Sequence, residues 1–209
     1  SFLRRAEFPW PCRIIAASAA MIVVQAILGA IVVFTELHPM VRLAHLGLAM
    51  AIIAMLTSGA AGFLATGGNL YRSLGAWHIL FGAAGVILIG GSIVATHSSF
   101  LCPDLPFCET ESAMAAFLHG AHRILAILLF LAITGLALRQ WMNRAKGWVV
   151  WLASASSILL AAQIAVGVVA VVSDLPGELR VLHVGLASLI WWSLVGTWAA
   201  STNRGSRIG

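Results

Sequence analysis

Six apolar runs alternate with short polar segments along the chain. They fall near Arg13–Thr35, Val41–Thr66, Leu74–Thr96, Ala113–Leu138, Trp148–Ser173 and Leu179–Ser201. Each is long enough to cross a hydrocarbon core of ~30 Å, which takes about 20 residues of helix. In lipid, a lone apolar run satisfies its own backbone hydrogen bonds only as a helix. The pattern therefore predicts an all-α integral membrane protein with six transmembrane helices. The first run is too long for the apolar core of a secretory signal, so a membrane span is expected there.

Within this pattern lies a repeat. Gln25 to Ala49 and Gln163 to Ala187 align without a gap, 138 positions apart. Gln25 falls on Gln163, Gly29 on Gly167, Arg42 on Arg180 and His45 on His183. Each copy is an apolar run, a polar turn, and Arg-x-x-His opening the next apolar run. A duplicated hairpin sets the same histidine at the same depth twice. Ionisable groups inside a bilayer are functional candidates by default.

Composition narrows the class further. The chain has 209 residues, 61% hydrophobic and 9% charged, too few charges for a soluble domain of this length. Arg4, Arg5, Arg13, Arg72, Arg139, Arg144, Lys146, Arg204 and Arg207 gather at one set of helix ends, with Trp10, Trp77, Trp141, Trp148, Trp151 and Trp198. The positive-inside rule then predicts cytoplasmic termini, with the tryptophans as an interfacial belt. The basic balance is a topology signal and not a nucleic-acid patch, since no basic run is interleaved with stacking aromatics.

Cys102 and Cys108 flank a proline-containing segment in the longest outer loop. On the oxidising side the pair reads as a structural disulfide, with a redox-active pair as the sharper alternative. A zinc site lacks two further ligands at suitable spacing. Cys12 falls on the reducing side as a buried or interfacial thiol.

The histidines carry the candidate chemistry. The second, fourth and sixth runs all enter from outside, so His45, His122 and His183 can converge in the outer leaflet. A helix bundle with inward imidazoles suits haem, whose iron takes one axial nitrogen from each face. Arg42 and Arg180 lie one turn before His45 and His183, and Arg123 adjoins His122. Such guanidinium groups match propionate carboxylates. His119 shares the face of His122, and its spacing fits a ligand, a hydrogen-bond donor to one, or a proton carrier. His38 reads as a solvated loop residue, and His78 and His97 as hydrogen-bonded between helices. Gly29, Gly47, Gly82, Gly85, Gly167 and Gly185 read as points of close helix approach. One difficulty is depth: by these boundaries His122 lies deeper in its helix than His183, so the fourth helix must project or the haem must tilt. A transporter built on parallel repeats would need a broken helix, and none marks a midplane site.

These motifs together resemble the haem A synthases, membrane enzymes that oxidise a methyl of haem O to a formyl group. Family members of the bacterial type have eight helices in two similar four-helix halves. Residues 74–209 resemble one complete half: Gly90-Gly91-Ser92 through Cys108 its Cys-loop, His122-Arg123 its His-Arg pair, Gln163 and Gly167 its third helix, His183 its last ligand. Residues 1–73 resemble only the second helix pair of the other half. The resemblance thus implies one complete haem-binding bundle plus a half-bundle. It implies haem b held by His122 and His183, and a possible second haem near His45.

The family's first helix pair carries Glu-x-x-His-Arg, and the nearest match here is His119-Gly120-Ala121-His122-Arg123, with histidine in place of the glutamate. No catalytic residue is assigned. Two readings follow. One is a haem A synthase-like oxidoreductase that takes further helices from another copy or another subunit. The other is a non-catalytic haem-containing accessory or electron-transfer subunit of a larger membrane complex.

Overall fold

The computed structural model describes residues 9–63, 76–106, 108–142 and 148–202. Six helices span these segments: α1 Pro9–Phe34, α2 Pro39–Phe63, α3 Ala76–Ala95, α4 Ala113–Met142, α5 Trp148–Val172 and α6 Gly177–Thr202. Each is long and apolar enough to cross a bilayer, so the chain is an all-α, multi-pass membrane protein. The ends agree with the hydropathy pattern to within a few residues. Arg4, Arg5, Arg72, Arg144, Lys146, Arg204 and Arg207 lie outside the described residues, as do the side chains of Trp10, Trp77 and Trp148 and the expected division at residue 73. Trp141 and Trp151 pack edge to face, their centroids 6.4 Å apart. Both are largely exposed, as interfacial aromatics are.

The repeat extends to the backbone. Glu36 and Leu37 adopt positive φ (51° and 65°), and so do their counterparts Asp174 and Leu175 (58° and 55°). In both turns the helix end closes with a bond reaching five residues back, from Leu37 N to Val32 O (2.8 Å) and from Leu175 N to Ala170 O (2.7 Å). These are the long bonds of a Schellman helix end.

A third copy appears that the sequence comparison did not reveal. At the end of α3, His97 has φ 56° and Ser98 N donates to Ile93 O at 2.9 Å. Thr35 and Thr96 each hydrogen-bond the carbonyl four residues earlier, through Oγ1 to Ile31 and Ser92. On this register Gly90 corresponds to Gly29 and Gly167, and Val86 to Gln25 and Gln163. The described residues thus form three helical hairpins, α1–α2, α3–α4 and α5–α6. The middle one is disguised by its long loop.

The helices α3, α4, α5 and α6 pack in a ring, each against the next, and α6 also against α3. Their shared core is Leu80, Ala83, Leu129, Ile133, Leu160, Ile190, Leu194 and Val195. Helix α2 lies against α6 and α3, while α1 packs on α2. Helix α1 leaves Ile22, Val23, Val24, Ile27, Ile31, Val33 and Phe34 exposed. Lipid tails solvate such a face without cost, whereas water would not.

With little hydrophobic drive between helices in lipid, polar ties and small residues join them. Thr134 and Ser157 bridge α4 to α5 at 2.6 Å, and the fully buried pair Ser156–Ser193 bridges α5 to α6 at 2.7 Å. Trp191 Nε1 donates to Met50 O at 2.8 Å, joining α6 to α2. The glycines divide. A Cβ at Gly82 would make ordinary contact with Leu129, and one at Gly47, Gly85 or Gly185 would meet nothing within 4 Å. These three are therefore not close-approach points. Gly29 and Gly167 do sit at a close approach, but to an imidazole and not to a helix backbone.

Candidate functional site

The site is assembled by the hairpins α3–α4 and α5–α6. Ser112 Oγ accepts from Ala115 N at 3.3 Å and so caps α4. Helix α4 runs for 30 residues, the longest of the six described. Helix α6 begins at Gly177, two residues earlier than the hydropathy suggests. His122 is then only about one turn deeper in its helix than His183. The depth difference shrinks, and the two imidazoles lie close together with ring centroids 6.4 Å apart and planes at 53°.

His122 Nδ1 lies 3.1 Å from Val86 O. A carbonyl only accepts, so Nδ1 carries the proton and the lone pair is left on Nε2. This is the arrangement of a metal-binding imidazole, whose other nitrogen donates to a backbone carbonyl. His183 has the Gln163 carbonyl as its backbone neighbour, while its Nδ1 is buried without closing a hydrogen bond.

His45 sits differently. The Gln25 amide nitrogen lies 3.1 Å from His45 Nε2 and 3.1 Å from the His45 carbonyl. The carbonyl bond fixes the amide as donor, so Gln25 donates to Nε2 and occupies that lone pair. Gln25 Oε1 and His45 Nδ1 are buried without partners, and so are the repeat-related Gln163 Oε1 and His183 Nδ1. The same two atoms are orphaned in each copy. Such groups are uncommon in native folds and ask for an explanation.

The remaining expected residues fall as follows. His119 is 7% exposed, and its Nε2 donates to Ser98 O at 3.0 Å, anchoring the end of α3. Arg123 is partly committed to the loop between α3 and α4. Its guanidinium donates to the carbonyls of Asp104 (2.8 Å), Pro106 (3.0 Å) and Cys102 (3.0 Å). That engages three of its five N–H groups. Cys102 and Cys108 are joined by a disulfide, with Cys102 1% exposed, so Arg123 ties a closed loop to α4 beside His122. Arg42 and Arg180 are exposed in the first turns of α2 and α6. Cys12 is a free, half-buried thiol. His38, His78 and His97 are exposed. Among the described residues no three histidines, cysteines or carboxylates converge as a metal cluster. A haem needs only two protein ligands.

The fit to a porphyrin iron can be tested on distance. Two opposed imidazoles on one metal put their centroids about 6.3 Å apart, from about 2.0–2.1 Å per metal–nitrogen bond plus about 1.1 Å from nitrogen to ring centre. The observed 6.4 Å matches. Sequence reading missed Val86 and Ser98, which act through backbone carbonyls. It also missed Gly90, which lies against the His122 ring.

The family model described as cytochrome oxidase assembly protein, COX15-CtaA, matches residues 2–195. A haem A synthase from Lysinibacillus sphaericus (strain C3-41) is 26% identical over 115 residues, 51% of this chain. The match spans 37% of that relative's length. The chain belongs to the COX15-CtaA family of cytochrome oxidase assembly proteins.

Proposed function

We propose that this protein binds one haem b through His122 and His183 and acts as a haem A synthase-like oxidoreductase of the membrane. The single observation that carries this is the pair of imidazoles whose centroid spacing matches that of two ligands on one iron. Family membership and the likeness to a haem A synthase support it. A haem held by two imidazoles supplies a one-electron couple. The chain's own groups do the rest: His122 donates through Nδ1 to Val86 and so presents Nε2, and Arg123 holds the disulfide loop over the site. Arg180 and the two N–H groups left on Arg123 are the donors for the propionates. Residues 74–209 form the haem-binding half, with both termini cytoplasmic and the disulfide loop outside.

A second reading, a non-catalytic haem-containing accessory or electron-transfer subunit, is favoured by one observation. The nitrogen of His45 that would ligate a second haem accepts a hydrogen bond from Gln25. In the catalytic reading His45 and Arg42 would hold a second porphyrin once Gln25 released the ring nitrogen, with another copy or subunit completing that half.

A reduced-minus-oxidised optical spectrum tests the shared claim. One low-spin b-type haem is expected, lost in His122→Ala and in His183→Ala. A featureless spectrum overturns it. Expression beside a source of haem O, followed by haem extraction, separates the two readings: haem A marks the enzyme, its absence the accessory subunit.

A further inference from the structure

Each of the three hairpins seats a histidine of its second helix against a glycine of its first. A Cβ placed on Gly90 would lie 2.9 Å from His122 Cε1, one on Gly167 3.1 Å from His183 Cε1, and one on Gly29 3.2 Å from His45 Cε1. The next nearest atom is Nδ1 in every case, at 3.3, 3.5 and 3.8 Å. The same ring edge therefore enters the same notch three times. Sixteen residues separate glycine from histidine in the two outer hairpins, and 32 in the middle one, whose loop is longer.

The physical reason lies in the helix. The carbonyl four residues before the glycine already accepts the glycine's own N–H. A carbonyl oxygen has a second lone pair, and without a Cβ nothing screens it from an approaching ring. In α3 that carbonyl is Val86, which accepts the hydrogen bond from His122 Nδ1. In α5 it is Gln163, the backbone neighbour of His183. At Gly90 the notch thus selects the ring's rotation and its tautomer together, leaving the lone pair on His122 Nε2; at Gly167 it sets the rotation alone, since His183 Nδ1 closes no hydrogen bond.

We propose that Gly90 and Gly167 are positioning residues for the two axial imidazoles, acting as backbone notches that fix ring orientation and present Nε2 to the iron. This rests on the haem reading above. Gly29 performs the same service for His45, where Gln25 meets the presented nitrogen.

The test uses the purified full chain with its haem, and reads ferric spin state and midpoint potential in Gly90→Ala and Gly167→Ala. An added methyl at 2.9–3.1 Å displaces the ring. Both variants should keep a b-type haem yet show a high-spin component and a shifted potential, larger for Gly90→Ala. Gly85→Ala and Gly185→Ala, where a Cβ meets nothing within 4 Å, should match the unaltered protein. If Gly90→Ala does not accumulate, Gly167→Ala decides alone. Unaltered spin state and potential in the folded Gly167→Ala protein overturn the proposal while leaving haem ligation intact. If instead His122→Ala and His183→Ala retain the full haem signal, the haem reading fails and this proposal with it.

Discussion

Gln25 and His45 are locked in a two-point hydrogen bond, with one amide nitrogen donating to the ring Nε2 and to the backbone carbonyl of the same histidine. The contact closes the α1–α2 hairpin and leaves Gln25 Oε1 and His45 Nδ1 buried without partners. Replacing one member strands the other. Gln25→Leu is expected to cost about 1–2 kcal/mol, the usual penalty for unsatisfied buried polar groups. The double variant Gln25→Leu/His45→Leu should recover most of that, because both orphaned atoms disappear together. Thermal unfolding of the detergent-solubilised protein reads the difference; a double variant less stable than either single one would contradict it.

Arg123 holds the disulfide loop by three backbone carbonyls, from Cys102, Asp104 and Pro106. Lysine keeps the charge but lacks the planar fork that reaches three acceptors. Arg123→Lys should therefore lose about 1–2 kcal/mol and exchange amide hydrogens over residues 101–106 several-fold faster. Hydrogen exchange by mass spectrometry checks this. Unchanged protection across the loop would show that the loop stands without the guanidinium.

His119 shares a helical face with His122, and spacing alone allows it to be a ligand. Its Nε2 is engaged by Ser98 O and its ring is buried. His119→Gln, which keeps an N–H donor, should leave the haem spectrum unchanged. His119→Leu should destabilise the fold by about 1–3 kcal/mol through the unpaired Ser98 carbonyl, again with the spectrum preserved. Loss of the low-spin signal in folded His119→Gln would make it a ligand after all.

Much of this was legible in the residues. The apolar runs gave all six spans, because lipid forces helix on any such run. The Gln25–Ala49 and Gln163–Ala187 match gave the outer hairpins. The middle hairpin escaped because its equivalence survives in few side chains, chiefly Gly90 and Thr96, and in backbone geometry at His97 and Ser98. A guanidinium beside a candidate ligand makes Arg123 an anion candidate in the sequence, and the loop it also holds is invisible there. The three acceptors that tie it to the loop are backbone carbonyls, which leave no mark in a sequence. The same holds for Val86, whose side chain is irrelevant to the bond its carbonyl makes with His122.

The close pairing of the His122 and His183 rings remains the relationship on which the functional reading turns. Electron paramagnetic resonance of the oxidised, purified protein reads iron ligation directly. The account predicts a low-spin ferric signal with two imidazole nitrogens, abolished by either His122→Ala or His183→Ala and retained in His45→Ala. A high-spin signal in the unaltered protein, or a low-spin signal that survives both substitutions, would contradict it.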